Sequence, residues 1–66
     1  MIYKTVIIEN TFEAGVAVGS LRSFLAGQGA GELNIVARGE GCVEVEIAVH
    51  NPLTMSYVED RLADFV

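Results

Sequence analysis

Tryptophan is absent from this 66-residue chain, and cysteine and proline occur once each. With Cys42 alone, no disulfide can form within the chain, so whatever stabilises a domain this small is something other than a covalent staple. Bases are also scarce: four Lys and Arg stand against nine Asp and Glu, for a net charge of −5. That balance opposes direct nucleic-acid binding, which runs on Lys and Arg neutralising phosphates, and makes a basic protein surface the more natural partner. Long apolar runs are missing too. None approaches the roughly 20 residues that span a bilayer, which argues against a membrane partner. Val6-Ile7-Ile8 before Glu9 is too short for the apolar core of an export signal. A cytoplasmic address is the expectation.

What the chain does have is apolar content, 52% of residues, with a mean hydropathy of +0.44. A domain of this length buries only roughly 60% of the surface its unfolded chain exposes. It therefore has little interior for those side chains, and the surplus predicts association, either with itself or with another protein. One domain, residues 1–66, is all the length allows.

Asn10-Thr11, Gly27 to Gly31, Gly39 to Gly41 and Asn51-Pro52 punctuate the chain into five segments. Ile2 to Ile8 is rich in β-branched residues and apolar on both parities, which predicts a strand covered on both sides, or nearly so. Asn10, with Glu13 three residues later, has the capping-box spacing, and Thr11 is an equally good cap. From there Ala14, Val18, Leu21 and Leu25 recur at helical spacing, with Ala17 and Phe24 beside them, up to a stop at Gly27. Gly15, Gly19 and Ser23 form a second line on the same helix. Each mid-helix glycine costs about 1 kcal/mol relative to alanine, so the line predicts close approach of another backbone, either the chain's own second helix or a second subunit. Leu33, Ile35 and Ala37, then Val43, Val45, Ile47 and Val49, alternate with mostly polar residues, as half-buried strands do. A three-residue loop, Gly39 to Gly41, pairs Arg38 with Cys42, Ala37 with Val43, Ile35 with Val45 and Leu33 with Ile47, which puts every one of these apolar side chains on one face. Asn51-Pro52 opens a last helix, with Met55, Val58, Leu62 and Phe65 on its inner side and Glu59, Asp60 and Asp64 as an acidic outer stripe.

The fold class is therefore α+β, in the order β-α-β-β-α. This order resembles a truncated ferredoxin-like or ACT-like layout: a three-stranded antiparallel sheet with two helices on one face and no final strand. In the full layout the missing strand lies beside the first, so the resemblance implies that Ile2 to Ile8 is an apolar edge open to pairing. Homo-oligomerisation is expected through that edge, or through the uncovered sheet face around Tyr3, Ile7 and Val36.

Reactive groups are few. Glu44 and Glu46 share one side of a strand, roughly 7 Å apart, but Val-Glu-Val-Glu is the pattern of a solvated strand face, and Asn34 and Arg38 on the neighbouring strand can neutralise it. Cys42 and His50 are the only residues of their types and lie roughly 26 Å apart along one strand, beyond reach of one another as nucleophile and base. One Cys with one His does not make a zinc site. Gly27-Gln28-Gly29-Ala30-Gly31 follows a helix, the reverse of a phosphate-cradling loop. No catalytic, metal or cofactor residue is assigned. The expectation is a small acidic protein without enzymatic activity. It binds through Glu44, Glu46, Glu59, Asp60, Asp64, Tyr3 and Ile7, and it self-associates or occludes a basic partner such as a nucleic-acid-binding protein, in the manner of phage-type inhibitors. The alternative is an oligomeric small-ligand module of ACT-like or dodecin-like type.

Overall fold

The computed structural model describes residues 1–66. Strand β1 (Ile2–Glu9) leads into helix α1 (Phe12–Gln28), followed by strands β2 (Gly31–Gly39) and β3 (Cys42–Val49), helix α2 (Pro52–Leu62) and a final 3-10 turn (Ala63–Phe65). The sheet order is β1-β3-β2, with both pairings antiparallel. Both helices lie on one face, as expected for the truncated ferredoxin-like layout. β1 and β2 are edges and β3 is the only strand paired on both sides.

The core lies between that sheet face and the helices. Val43, Val45, Ile47 and Val49 of β3, Leu33 of β2 and Ile8 of β1 meet Ala14, Val18, Leu21 and Leu25 of α1 and Met55, Val58 and Leu62 of α2. Every expected inner-stripe residue of the helices is there except Ala17, Phe24 and Phe65. Ala17 and Phe65 pack at the margin, and Phe24 turns sideways.

The caps follow local chemistry. Thr11, not Asn10, caps α1, its Oγ1 accepting from the Ala14 backbone N–H at 3.2 Å. Asn10 is instead drawn to the hairpin tip, its N–H donating to the Gly41 carbonyl at 3.1 Å. The helix continues past Gly27 to a left-handed Gly29 at φ 61°, while the N–H of Ala30 closes back on the Leu25 carbonyl at 3.0 Å. Asn51 caps α2 as its Asn-Pro sequence predicts, with Oδ1 accepting from Thr54 N–H at 2.8 Å.

The hairpin differs from expectation near its tip. Leu33 does face Ile47 and Ile35 faces Val45, but then Ala37 faces Glu44, Arg38 faces Val43 and Gly39 faces Cys42. The loop is the two residues Glu40-Gly41, with Gly41 at φ 78°, and the register is restored by one bulged residue, Val36, between Ile35 and Ala37. Loop and bulge together contribute the same extra residue that a three-residue loop would. The consequence is confined to the tip: Ala37 leaves the helix side and Arg38 joins it.

Tyr3 is 67% exposed and Ile7 52%, which corrects the reading of β1 as covered on both sides. Its helix-facing residues Ile2, Val6 and Ile8 pack on the core, and its other face meets no layer.

Gly31 has the least room of the chain's glycines. It has φ 150°, and a Cβ there would lie 2.2 Å from the Ala48 carbonyl oxygen and 2.8 Å from Val49 Cα. Both obstacles are backbone of the central strand, so they cannot yield as a side chain does. Gly31→Ala is expected to destabilise the domain by about 2 kcal/mol or more, through strain and a displaced ladder. Gly29→Ala, at a left-handed φ with open space around it, should cost only about 1 kcal/mol. Urea unfolding of the two variants checks the order.

Candidate functional site

Two surfaces emerge from this architecture. The first is the sheet face turned away from the helices. Residues on β3 that alternate with the core valines are Cys42, Glu44, Glu46 and Ala48, and their antiparallel partners on β1 are Glu9, Ile7, Thr5 and Tyr3. On β2, Asn34 faces Glu46 and Glu32 faces Ala48. Glu44 and Glu46 are half-buried between their neighbours, while Tyr3, Ile7 and Val36 stand out around them.

No lysine or arginine shares this face. Lys4 lies opposite the core residue Ile47 and its ammonium pairs with Glu59 of α2. Arg22 is on α1, and Arg61 stacks over the Tyr57 ring of α2 at 4.4 Å. Arg38, expected beside Glu44, is carried to the helix side by the Val36 bulge, opposite buried Val43. The bulge thus leaves Glu44 and Glu46 without a neutralising cation.

The seven expected binding residues therefore divide. Tyr3, Ile7, Glu44 and Glu46 come together on the open face. Glu59 and Asp60 belong to α2 on the opposite side, with Glu59 already paired to Lys4. Asp64, in the final 3-10 turn, lies at the β1 rim, where with Ile7, Glu9, Cys42 and Phe65 it lines a cavity of about 330 Å³. The sequence reading missed that Val36 and Ala37 depart from the alternation. Ile35-Val36-Ala37, three apolar residues in a row, was the available sign of a bulge.

The second surface is the outer flank of α1. Gly15 and Gly19 do not pack against α2, since a Cβ at either position would have nothing within 4 Å. This corrects the expected close approach to the chain's own second helix. The two helices touch instead through Phe24 and Tyr57, whose rings are 5.1 Å apart with an interplanar angle of 33°. That tilted pair, with Arg61 also stacked on the Tyr57 ring, accounts for Phe24 leaving the sheet-facing stripe. The glycines line a cavity of about 220 Å³ together with Arg22 and Arg38.

Cys42 opens β3 and His50 follows its end, so the strand holds them apart. No three His, Cys, Asp or Glu side chains gather in a way that could hold a metal ion. No helix is long and apolar enough to cross a membrane. Comparison with protein-family models, with curated proteins and with solved structures finds no match.

With open space above both glycines, Gly15→Ala and Gly19→Ala should each raise stability by about 0.5–1 kcal/mol through helix propensity. Thermal unfolding reads this directly. A fall in stability would mean that the helix backbone does meet a partner in solution.

Proposed function

We propose that this protein is a non-catalytic binding module whose open sheet face receives a basic protein surface. The observation that carries the reading is the segregation of charge. Glu32, Glu44 and Glu46 share a face with exposed Tyr3, Ile7 and Val36, and all four lysines and arginines lie off it. Apolar side chains ringing half-buried carboxylates suit a partner that offers Lys or Arg heads among apolar groups, because charge-assisted hydrogen bonds gain strength as water is excluded.

Size sets the expected strength. Three strands about 4.8 Å apart and eight residues long make a face of roughly 14 by 27 Å. Stable interfaces bury roughly 800 Å² per partner, so contact limited to this face favours a transient, salt-sensitive complex unless the partner also reaches over a rim.

Self-association is the less supported form of the reading. Two copies packed face to face about a two-fold axis would bring their Glu44 and Glu46 rows together, and like charges across an interface cost free energy. Pairing of β1 edges meets Lys4, a charge on the helix-facing side of the edge strand, the kind of residue that discourages sheet extension.

The test compares two double variants in affinity capture from the native host. Glu44→Gln with Glu46→Gln should release the captured partner and flatten the salt dependence of binding. Glu59→Gln with Asp60→Asn, on the opposite side, should leave both unchanged. Equal retention by the two double variants sinks the proposal.

A further inference from the structure

The cavity on the flank of α1 is built from parts that the open face does not use. Arg22 projects from α1 and its Nε donates to the Leu33 carbonyl at 3.0 Å, which orients the guanidinium while leaving its terminal nitrogens free. Arg38 arrives from β2, turned to the helix side by the Val36 bulge. Both line the same space of about 220 Å³. Neither is within ion-pairing distance of a carboxylate. The chain's one ion pair is Lys4 with Glu59, and Glu9, which also lines the cavity, pairs with neither arginine. Two unpaired guanidinium groups in one recess are unexpected in a chain with more than twice as many acids as bases. Beneath them the wall is apolar, with Val18 and Ile35, and Gly15 and Gly19 leave the helix backbone uncovered on one side.

We propose that this recess binds a small oxyanion, a carboxylate or phosphate group, through the forks of Arg22 and Arg38, with any short apolar body of the ligand lying against Val18 and Ile35. The chemistry follows from the guanidinium, whose planar donors match two oxygens of a carboxylate or phosphate at once. The volume sets an upper limit. Pockets for drug-sized ligands run from about 300 to 1,000 Å³, so this one takes a small anion and not a whole nucleotide or flavin. The bulge has a role here, because bulges re-aim side chains next to binding sites: a regular hairpin would leave Arg38 on the open face and Arg22 alone. The site is separate from the open face, so either proposal can fail without the other.

The experiment is ¹H–¹⁵N NMR of the full chain titrated with sodium phosphate and, separately, sodium acetate, with sodium chloride at matched ionic strength as the reference. Saturable shifts of the Arg22 and Arg38 Nε–H and of the Gly15 and Gly19 amides are expected with phosphate or acetate and not with chloride. The salt that saturates identifies the ligand's oxyanion. Arg38→Gln, at an exposed position outside the core, should weaken binding at least tenfold, and Arg38→Lys should recover part of it. Shifts that never saturate, that match those in chloride, or that persist in Arg38→Gln would overturn the proposal.

Discussion

The central position of β3 is the constraint on which the rest of the structure depends. It is the only strand with hydrogen-bonded neighbours on both sides, and Val43, Val45, Ile47 and Val49 on its inner face are between 0 and 5% exposed. These β-branched side chains lock the strand to both helices. β1 and β2 are placed by their registers against that row and α2 by the apolar stripe laid over it, while α1 lies chiefly over β2. Because side chains alternate strictly along a strand, fixing the valine row inward also fixes Glu44 and Glu46 outward. The acidic face follows from the core pattern without any separate interaction to hold it.

The bulge at Val36 is where this alternation gives way, and it distributes the charge of the whole molecule. A regular hairpin leaves Arg38 across from Cys42 on the open face, close enough to moderate the glutamates. One extra residue reverses that, so the open face keeps its carboxylates and the α1 flank gains a second guanidinium. A bulge costs a ladder position and adds local twist. At the tip of an edge strand, where β2 has no outer neighbour, that disturbance reaches nothing else.

The element order, the layer arrangement and nearly all of the core were legible in the sequence, because 3.6- and 2-residue periodicities report directly which face is buried. The hairpin register was legible only in part. Period-two patterning fixes register far from the turn, and Ile35 opposite Val45 is as expected. It cannot distinguish a three-residue loop from a two-residue loop plus one bulged residue, since both add one residue to the same strand. The expected contact of Gly15 and Gly19 with the chain's own second helix failed for a different reason. A glycine line on a helix looks the same whether another backbone lies on it or solvent does, and only the neighbouring elements distinguish the two. On β1, apolar residues on both parities indicated strand but not what covers it: Tyr3 and Ile7 fitted a covered strand and an open sheet face equally, and they lie on an open one.

The division of the seven expected binding residues has the same origin. Carboxylates at Glu44 and Glu46 and carboxylates at Glu59 and Asp60 are equivalent in a sequence, where only charge and exposure can be weighed. The fold puts the thickness of the sheet between them and gives Glu59 a lysine. What remains on the open side is an acidic patch with no internal counter-charge, set among apolar side chains and centred on the one strand paired on both sides. Placement on the doubly paired strand, more than the net charge of −5, is what sets Glu44 and Glu46 apart from the other acids.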